Sequence, residues 1–320
     1  METSDFIKEV HFENTEELFH ELSPFGKYKY VLKDYIFRGE SSANYKLLPS
    51  VLREENKSKL YSLSGMGRVV DGQDEWEYWQ QYYEVCALKR FFTLADERGI
   101  TVPEISFMRN EVLNIFPYFS KMASEKWIPE EFLELAALAQ HYGVPTRLID
   151  WSLSHMISLY FAVSGALNKN QVDDENMVLW ALNYREFEFR KITTSRIPLR
   201  LIKPNYNRNP NLLCQKGVLS CWEYENQLVK EPFRILEDKI IRVNRTPLDE
   251  LISNYVLEND INLVLSDSSY TILLYKFYLP IKEARTLYEV LTDLNYGADS
   301  IFFGFNGVFQ RMKDDARCAQ

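Results

Sequence analysis

Between Asp74 and about Leu94, Trp76, Trp79, Tyr83, Cys86, Ala87 and Phe91 recur at spacings of three and four. That period lays one apolar face along a helix, and a face so rich in rings must be buried against another layer. Such a stripe reads as core packing rather than as a cofactor surface. Elsewhere the pattern becomes that of strands. Tyr35-Ile36-Phe37 reads as the end of a strand, Met177 to Leu182 as a buried strand, and Val218 to Trp222 and Tyr270 to Leu279 as extended runs. The class expected is α+β, a helix-rich N-terminal half packed on a mainly C-terminal β-sheet core.

Local signals place further elements. Asn14-Thr15-Glu16-Glu17 has the form of a capping box and opens a short helix carrying Leu18, Phe19 and Leu22. A helix is expected from Asn110 to Met122. Another starts near Pro129, buries Phe132, Leu135, Ala136 and Ala139, and stops at Gly143 with Pro145 beyond. Arg147-Leu148-Ile149 reads as a short extended piece. Ser152 or Ser154 can cap the next helix, His155 to Leu167. Pro204 to Pro210 reads as a long loop, Ile281 to Leu294 as an amphipathic helix, and Asn295 to Asp299 as a turn into a strand at Ser300-Ile301-Phe302.

The chain has 320 residues and a formal net charge of -9. Nonspecific nucleic-acid binding needs a basic surface, so this balance argues against it, although one cleft can still be basic. No run of eighteen apolar residues is present, and the first residues lack the basic start and apolar stretch of a signal peptide. The expectation is a cytoplasmic protein that does not enter a membrane. Cys86, Cys214, Cys221 and Cys318 form no Cys-x-x-Cys pair, and His11, His20, His141 and His155 show no metal-binding spacing. Free thiols and no metal are expected.

Two segments concentrate the chemistry. One is Phe37-Arg38-Gly39-Glu40; the other runs from Ala139 through Gln140-His141-Tyr142-Gly143-Val144-Pro145-Thr146-Arg147-Leu148-Ile149-Asp150 to Trp151, with Tyr160-Phe161-Ala162 after it. Together they resemble the FRG domain, named for its Phe-Arg-Gly motif. Gln215-Lys216-Gly217 and the segment Asn295 to Phe302 resemble later elements of that family, so the resemblance runs from about residue 30 to 310. It implies a helical extension over 1–29, an FRG domain over 30–310 and a C-terminal tail over 311–320. By association it also implies a role in bacterial or phage conflict and defence.

At a strand exit, the guanidinium of Arg38 suits bidentate binding of a phosphate or carboxylate, and Gly39 lets backbone approach a ligand closely. The structural alternative is a buried Arg38 paired with Asp150 or Glu40. His141 could act as a base or bond a ribose hydroxyl, or be a structural histidine. Gln140, Arg147, Asp150 and Ser152 complete a ligand-gripping set; Thr146 and Asp150 can instead cap backbone. Arg38, His141, Tyr160 and Gln215 are the catalytic candidates, with Tyr160 equally readable as core. Three-residue alternation makes a direct Arg147–Asp150 pair unfavourable.

A more distant resemblance is to ADP-ribosyltransferases of the Arg-Ser-Glu kind, with Arg38-Gly39, Asp150-Trp151-Ser152 and Gln215-Lys216-Gly217 in matching order. It implies an ADP-ribosyltransferase-like fold and NAD as the cofactor. Gly217 stands where that pattern has glutamate, and Glu223 and Glu225 are the nearest acids. The competing class is a module that senses a nucleotide-like or anionic small molecule, or a protein partner, without turnover. A nucleotide or nucleic-acid hydrolase is a third class, disfavoured by the acidic balance and the absent metal motif.

Overall fold

The structure, a computed structural model, describes residues 1–66, 73–105, 108–109, 126–167, 175–206, 209–225, 242–264 and 269–319. Strands β1 (Ile7–His11), β2 (Ile36–Glu40), β3 (Ile149–Ser152), β4 (Asn176–Leu182), β5 (Leu199–Ile202), β6 (Gly217–Trp222) and β7 (Leu274–Pro280) form one seven-stranded sheet. Their order is β1-β7-β4-β2-β3-β6-β5. Among the described strands only β1 and β7 pair in parallel; the other neighbours are antiparallel.

The centre of the sheet is covered on both faces. Along β4, Val178, Trp180 and Leu182 enter one apolar cluster, while Met177, Leu179 and Ala181 enter the other. Residues two apart share a face of a strand, so a fully apolar run such as Met177–Leu182 needs a layer on each side. Helices α1 (Gln73–Asp96) and α2 (Leu133–His141) cover the first face with side chains such as Tyr83 and Leu135. Helices α3 (His155–Ala166) and α5 (Ala284–Asp293) cover the second with Leu159 and Leu287. Between them in sequence, α4 (Pro210–Cys214) is a short helix leading into β6, and α6 (Phe305–Cys318) closes the chain. The fold is α+β. No helix among the described residues is long and apolar enough to cross a membrane.

Several elements differ from expectation, each for a physical reason. Strand β2 extends through Arg38, Gly39 and Glu40 because all three pair with β4, so the Phe-Arg-Gly motif lies inside a strand rather than at its exit. The first 29 residues are not purely helical: β1 completes an edge of the sheet, with Phe6 and Ile7 in the core. Asp150-Trp151-Ser152 is strand, not the opening turn of α3, because β3 pairs along its whole length with β6. The expected one-sided stripe on α1 gives way to burial on several sides, for Glu77, Gln80, Gln81 and Glu84 are buried alongside Trp76 and Tyr83. Those polar groups are partnered: Glu77 takes Arg245 at 2.6 Å, and Glu84 takes Arg147 at 2.7 Å and Trp127 Nε1 at 2.6 Å. The helix expected over Asn110–Met122 lies outside the described residues.

The C-terminus also departs from the reading. Ala298–Ile301 is helical rather than extended, and residues 311–318, expected as a tail, belong to α6. Gly304, at φ +71°, makes the bend between the two helices. What holds α6 down is Asp314, whose carboxylate is fully buried. It accepts the Tyr160 hydroxyl at 2.7 Å, Gln310 Nε2 at 2.9 Å and Arg317 at 3.3 Å. A buried carboxylate survives only where such donors replace its water. Asp314→Ala should therefore cost about 2–4 kcal/mol in urea unfolding, and Tyr160→Phe about 1–2 kcal/mol. Equal stability of both variants and wild type would show that this buried network does not anchor the helix.

Candidate functional site

Strands β2 and β3 are neighbours in the sheet, yet they share a single residue pair, Phe37 with Ser152. Beyond it β2 follows β4, β3 follows β6, and a cleft of about 440 Å³ occupies the gap. Its walls come from β2, β3, β6, α2, α3 and α4. Arg38, Gly39, Gln140, His141, Asp150, Ser152 and Gln215 all line it. Of the residues singled out in the sequence, Arg147 and Tyr160 stand apart.

Alternation along β2 sets the site's polarity. Arg38 and Glu40 share one face, and both Nε and Nη2 of Arg38 lie 2.7 Å from Glu40 Oε1. Nη1 of Arg38 donates to the backbone carbonyl of Asp150 at 3.0 Å, so the guanidinium spans the gap from β2 to β3. Arg38 is thus paired with Glu40 and still lines the cleft, combining the two roles that the sequence set against each other.

Gly39 has a role other than close approach to a ligand. A Cβ placed there would fall 1.7 Å from the backbone carbonyl oxygen of Ser158. Helix α3 therefore crosses β2 at a distance that only glycine permits, which brings Ser158 and Phe161 to the cleft wall.

Asp150 is oriented by Gln140, whose Nε2 donates to Oδ1 at 2.7 Å. The other end of that amide accepts the Thr146 hydroxyl, whose oxygen in turn accepts the Leu148 amide at 3.1 Å. The turn after α2 thereby aims a carboxylate on β3. Ser152 is occupied structurally: its hydroxyl donates to the Gln215 carbonyl at 2.7 Å and accepts the Ser154 amide at 3.0 Å. This tie holds the segment before β6 against the end of β3.

His141 lies at the end of α2, with Nε2 3.3 Å from Asn211 Nδ2. Asn211 Oδ1 accepts the Phe303 amide at 2.6 Å, which turns the NH₂ group toward the ring. Nε2 must then accept, and the proton of the neutral ring sits on Nδ1. Burial pushes the His141 pKa down, while nearby Asp150 opposes the shift. A neutral imidazole fits both the burial and the Asn211 contact.

Arg147 is buried against Glu84, which meets its Nε and Nη2, and its guanidinium carbon lies 4.8 Å from the Tyr224 ring centre. The residue binds layers together rather than facing the Arg38 cleft. Tyr160 lies in the core on Asp314, and burial raises its pKa. Glu223 and Glu225 line a separate pocket, with Glu223 paired to Arg196 and Arg200. A side chain at Gly217 would have to displace Leu212, since a Cβ there lies 2.2 Å from its Cδ1. Among the described residues the cleft's carboxylates are Glu40 and Asp150, and no late acid of the transferase pattern joins them.

Asn211 is the site residue that motif reading passed over, while Glu40 entered it only as a structural partner of Arg38. Glu40 was legible in the two-residue spacing from Arg38. Nothing local to Asn211 announces its contact with His141, which depends on how α4 packs.

Residues 33–171 match the FRG domain family, and the match supports the FRG family for this chain. That segment contains β2, β3, α2 and α3, which build most of the cleft, while Leu212, Gln215, Gly217 and Leu219 add the remaining wall. Comparison with curated proteins and with solved structures gave no match. The resemblance to ADP-ribosyltransferases gains no support from these comparisons.

The close approach at residue 39 can be tested directly. Gly39→Ala sets a methyl group against backbone, which no rotamer relieves, and should destabilise the protein by about 2 kcal/mol or more. A thermal melt unchanged from wild type would show that α3 and β2 can separate freely.

Proposed function

We propose that the cleft between β2 and β3 binds the ribosyl part of a nucleotide-like ligand, with NAD as the ligand to test. The carrying observation is the convergence of Arg38, Glu40, Gln140, His141, Asp150 and Gln215 on one cleft. Arg38 and Gln140 already hold one atom each of Glu40 and Asp150. Glu40 Oε2 and Asp150 Oδ2 have no partner among the described residues and can accept vicinal sugar hydroxyls, as carboxylates commonly do for ribose. The Phe161 ring and Leu219 supply apolar wall, and two carboxylates beside one guanidinium favour a cationic ring over an anionic group. A role in bacterial or phage conflict remains the biological expectation that the family resemblance implies.

A catalytic reading is favoured by one specific feature, the presence of Glu40 and Asp150 where charge would develop. Cleaving the bond between ribose C1′ and nicotinamide sends the electron pair to the ring, which leaves neutral, and builds positive charge on the sugar. A fixed carboxylate lowers the energy of that charge. Water or a nucleophile of a protein target then bonds to C1′ and gives its proton to the free oxygen of Asp150 or Glu40, since the lone pair of His141 Nε2 is already taken by Asn211.

Calorimetry and thermal shift with NAD decide whether the cleft binds. Wild type should bind, and Asp150→Asn and Glu40→Gln should each weaken binding about tenfold, the scale of one charge-assisted hydrogen bond. No NAD-dependent shift in melting temperature and no nicotinamide by mass spectrometry would refute the proposal. Nicotinamide released by wild type but not by Asp150→Asn identifies an enzyme; binding without product identifies a sensor module.

A further inference from the structure

A second hollow of about 290 Å³ adjoins the cleft and shares Arg38, Gln140 and Asp150 with it. Its remaining polar lining is Ser50, Arg53, Asn56 and Lys59. The two spaces differ in charge. The main cleft sets Arg38 against Glu40 and Asp150, two carboxylates to one cation. The annex sets Arg38, Arg53 and Lys59 against Asp150 alone, three cations to one carboxylate.

Of the annex cations, Arg38 is paired with Glu40, while Arg53 and Lys59 meet no carboxylate among the described residues. Arg53 donates Nε to the Leu48 carbonyl at 3.0 Å, which fixes the base of its fork, and its two Nη groups have no partner among the described residues. Lys59 is exposed and likewise has no hydrogen-bond or ion-pair partner among them. The neighbouring Lys57, by contrast, pairs with Glu54 at 2.7 Å. A Cβ on Gly143, whose φ is +90°, would lie 3.7 Å from Lys59 Nζ, so the ammonium stands over the turn that follows α2. That turn carries on to Thr146, which binds Gln140 and thus the Asp150 orientation.

We infer that the annex is a phosphate seat, taking the diphosphate of a ligand whose sugar lies in the main cleft, with Arg53 and Lys59 as its charge-bearing groups. A fixed guanidinium fork with free Nη groups suits paired phosphate oxygens, and a lysine adds a mobile point charge. The direction of the ligand follows. Its anionic part lies toward Arg53 and Lys59, and its hydroxyl-bearing, cationic end lies toward Glu40. The seat deepens the reading of the cleft as a nucleotide site and rests on it for the direction of the ligand, but phosphate affinity can be measured alone.

Inorganic pyrophosphate is the probe, followed by calorimetry and amide NMR at low and moderate salt, with NAD titrated in parallel. Wild type should bind pyrophosphate, more weakly as salt screens the cations. Lys59→Gln should weaken it about fivefold and Arg53→Gln with Lys59→Gln about tenfold or more, the size expected for losing charge-assisted contacts. Lys59 is exposed, so its variant tests the seat even where Arg53→Gln lowers the melting temperature. Absent pyrophosphate binding by wild type, or binding by both variants as tight as wild type's, overturns the seat. If NAD binds wild type and the double variant equally, the cleft stands and the seat fails. If pyrophosphate binding depends on these cations but NAD does not bind, the seat stands and the NAD reading fails.

Discussion

One guanidinium spans the break in the sheet beside its single backbone pair. Arg38 reaches from β2 to the Asp150 carbonyl on β3 while it grips Glu40 on its own strand. An antiparallel pair joined at a single residue exposes backbone groups on both sides of the break, and unpaired backbone in a partly buried gap is costly. A long side chain that donates across the break satisfies one of those groups and still leaves room beside it. The cleft lies where this side chain takes the place of ladder hydrogen bonds.

The rest of the site depends on that gap being kept at a fixed width. Gly39 lets α3 lie against β2 and form the floor. Ser152 ties the end of β3 to the segment before β6, and Gln140 ties Asp150 to the turn after α2. Each tie comes from a different stretch of the chain, and their common effect is to present carboxylate oxygens and a neutral imidazole to one space. Fixed dipoles and charges of this kind need little reorganisation when a ligand arrives. The charge then changes across the Arg38–Asp150 boundary, from acidic in the main cleft to basic in the annex.

Much of this was legible in the residues. The chain's α+β class, the helix ending at Gly143 and the strand Met177–Leu182 follow from period and punctuation, and the structure has them within a residue or so. The two motif segments do meet at one cleft. Sequence could not separate residues that line the cleft from residues that hold it. Arg147 looked as suited to a ligand as Arg38, and only the fold puts it beside Glu84, sixty-three positions earlier in the chain. Tyr160 meets an aspartate near the C-terminus. Long-range partners of buried polar groups leave no local signature, because periodicity records which face is buried and not what it is buried against.

Hydrogen exchange on wild type and Arg38→Ala decides whether Arg38 bridges the break between β2 and β3. A bridge there makes exchange in the variant faster only at amides around residues 149–152 and the walls of the cleft, with the protected centre at β4 and β7 unchanged. Exchange in the variant that matches wild type at residues 149–152 would contradict it. So would a uniform rise across the whole sheet, which would make Arg38 a general stabiliser rather than the bridge at this one gap.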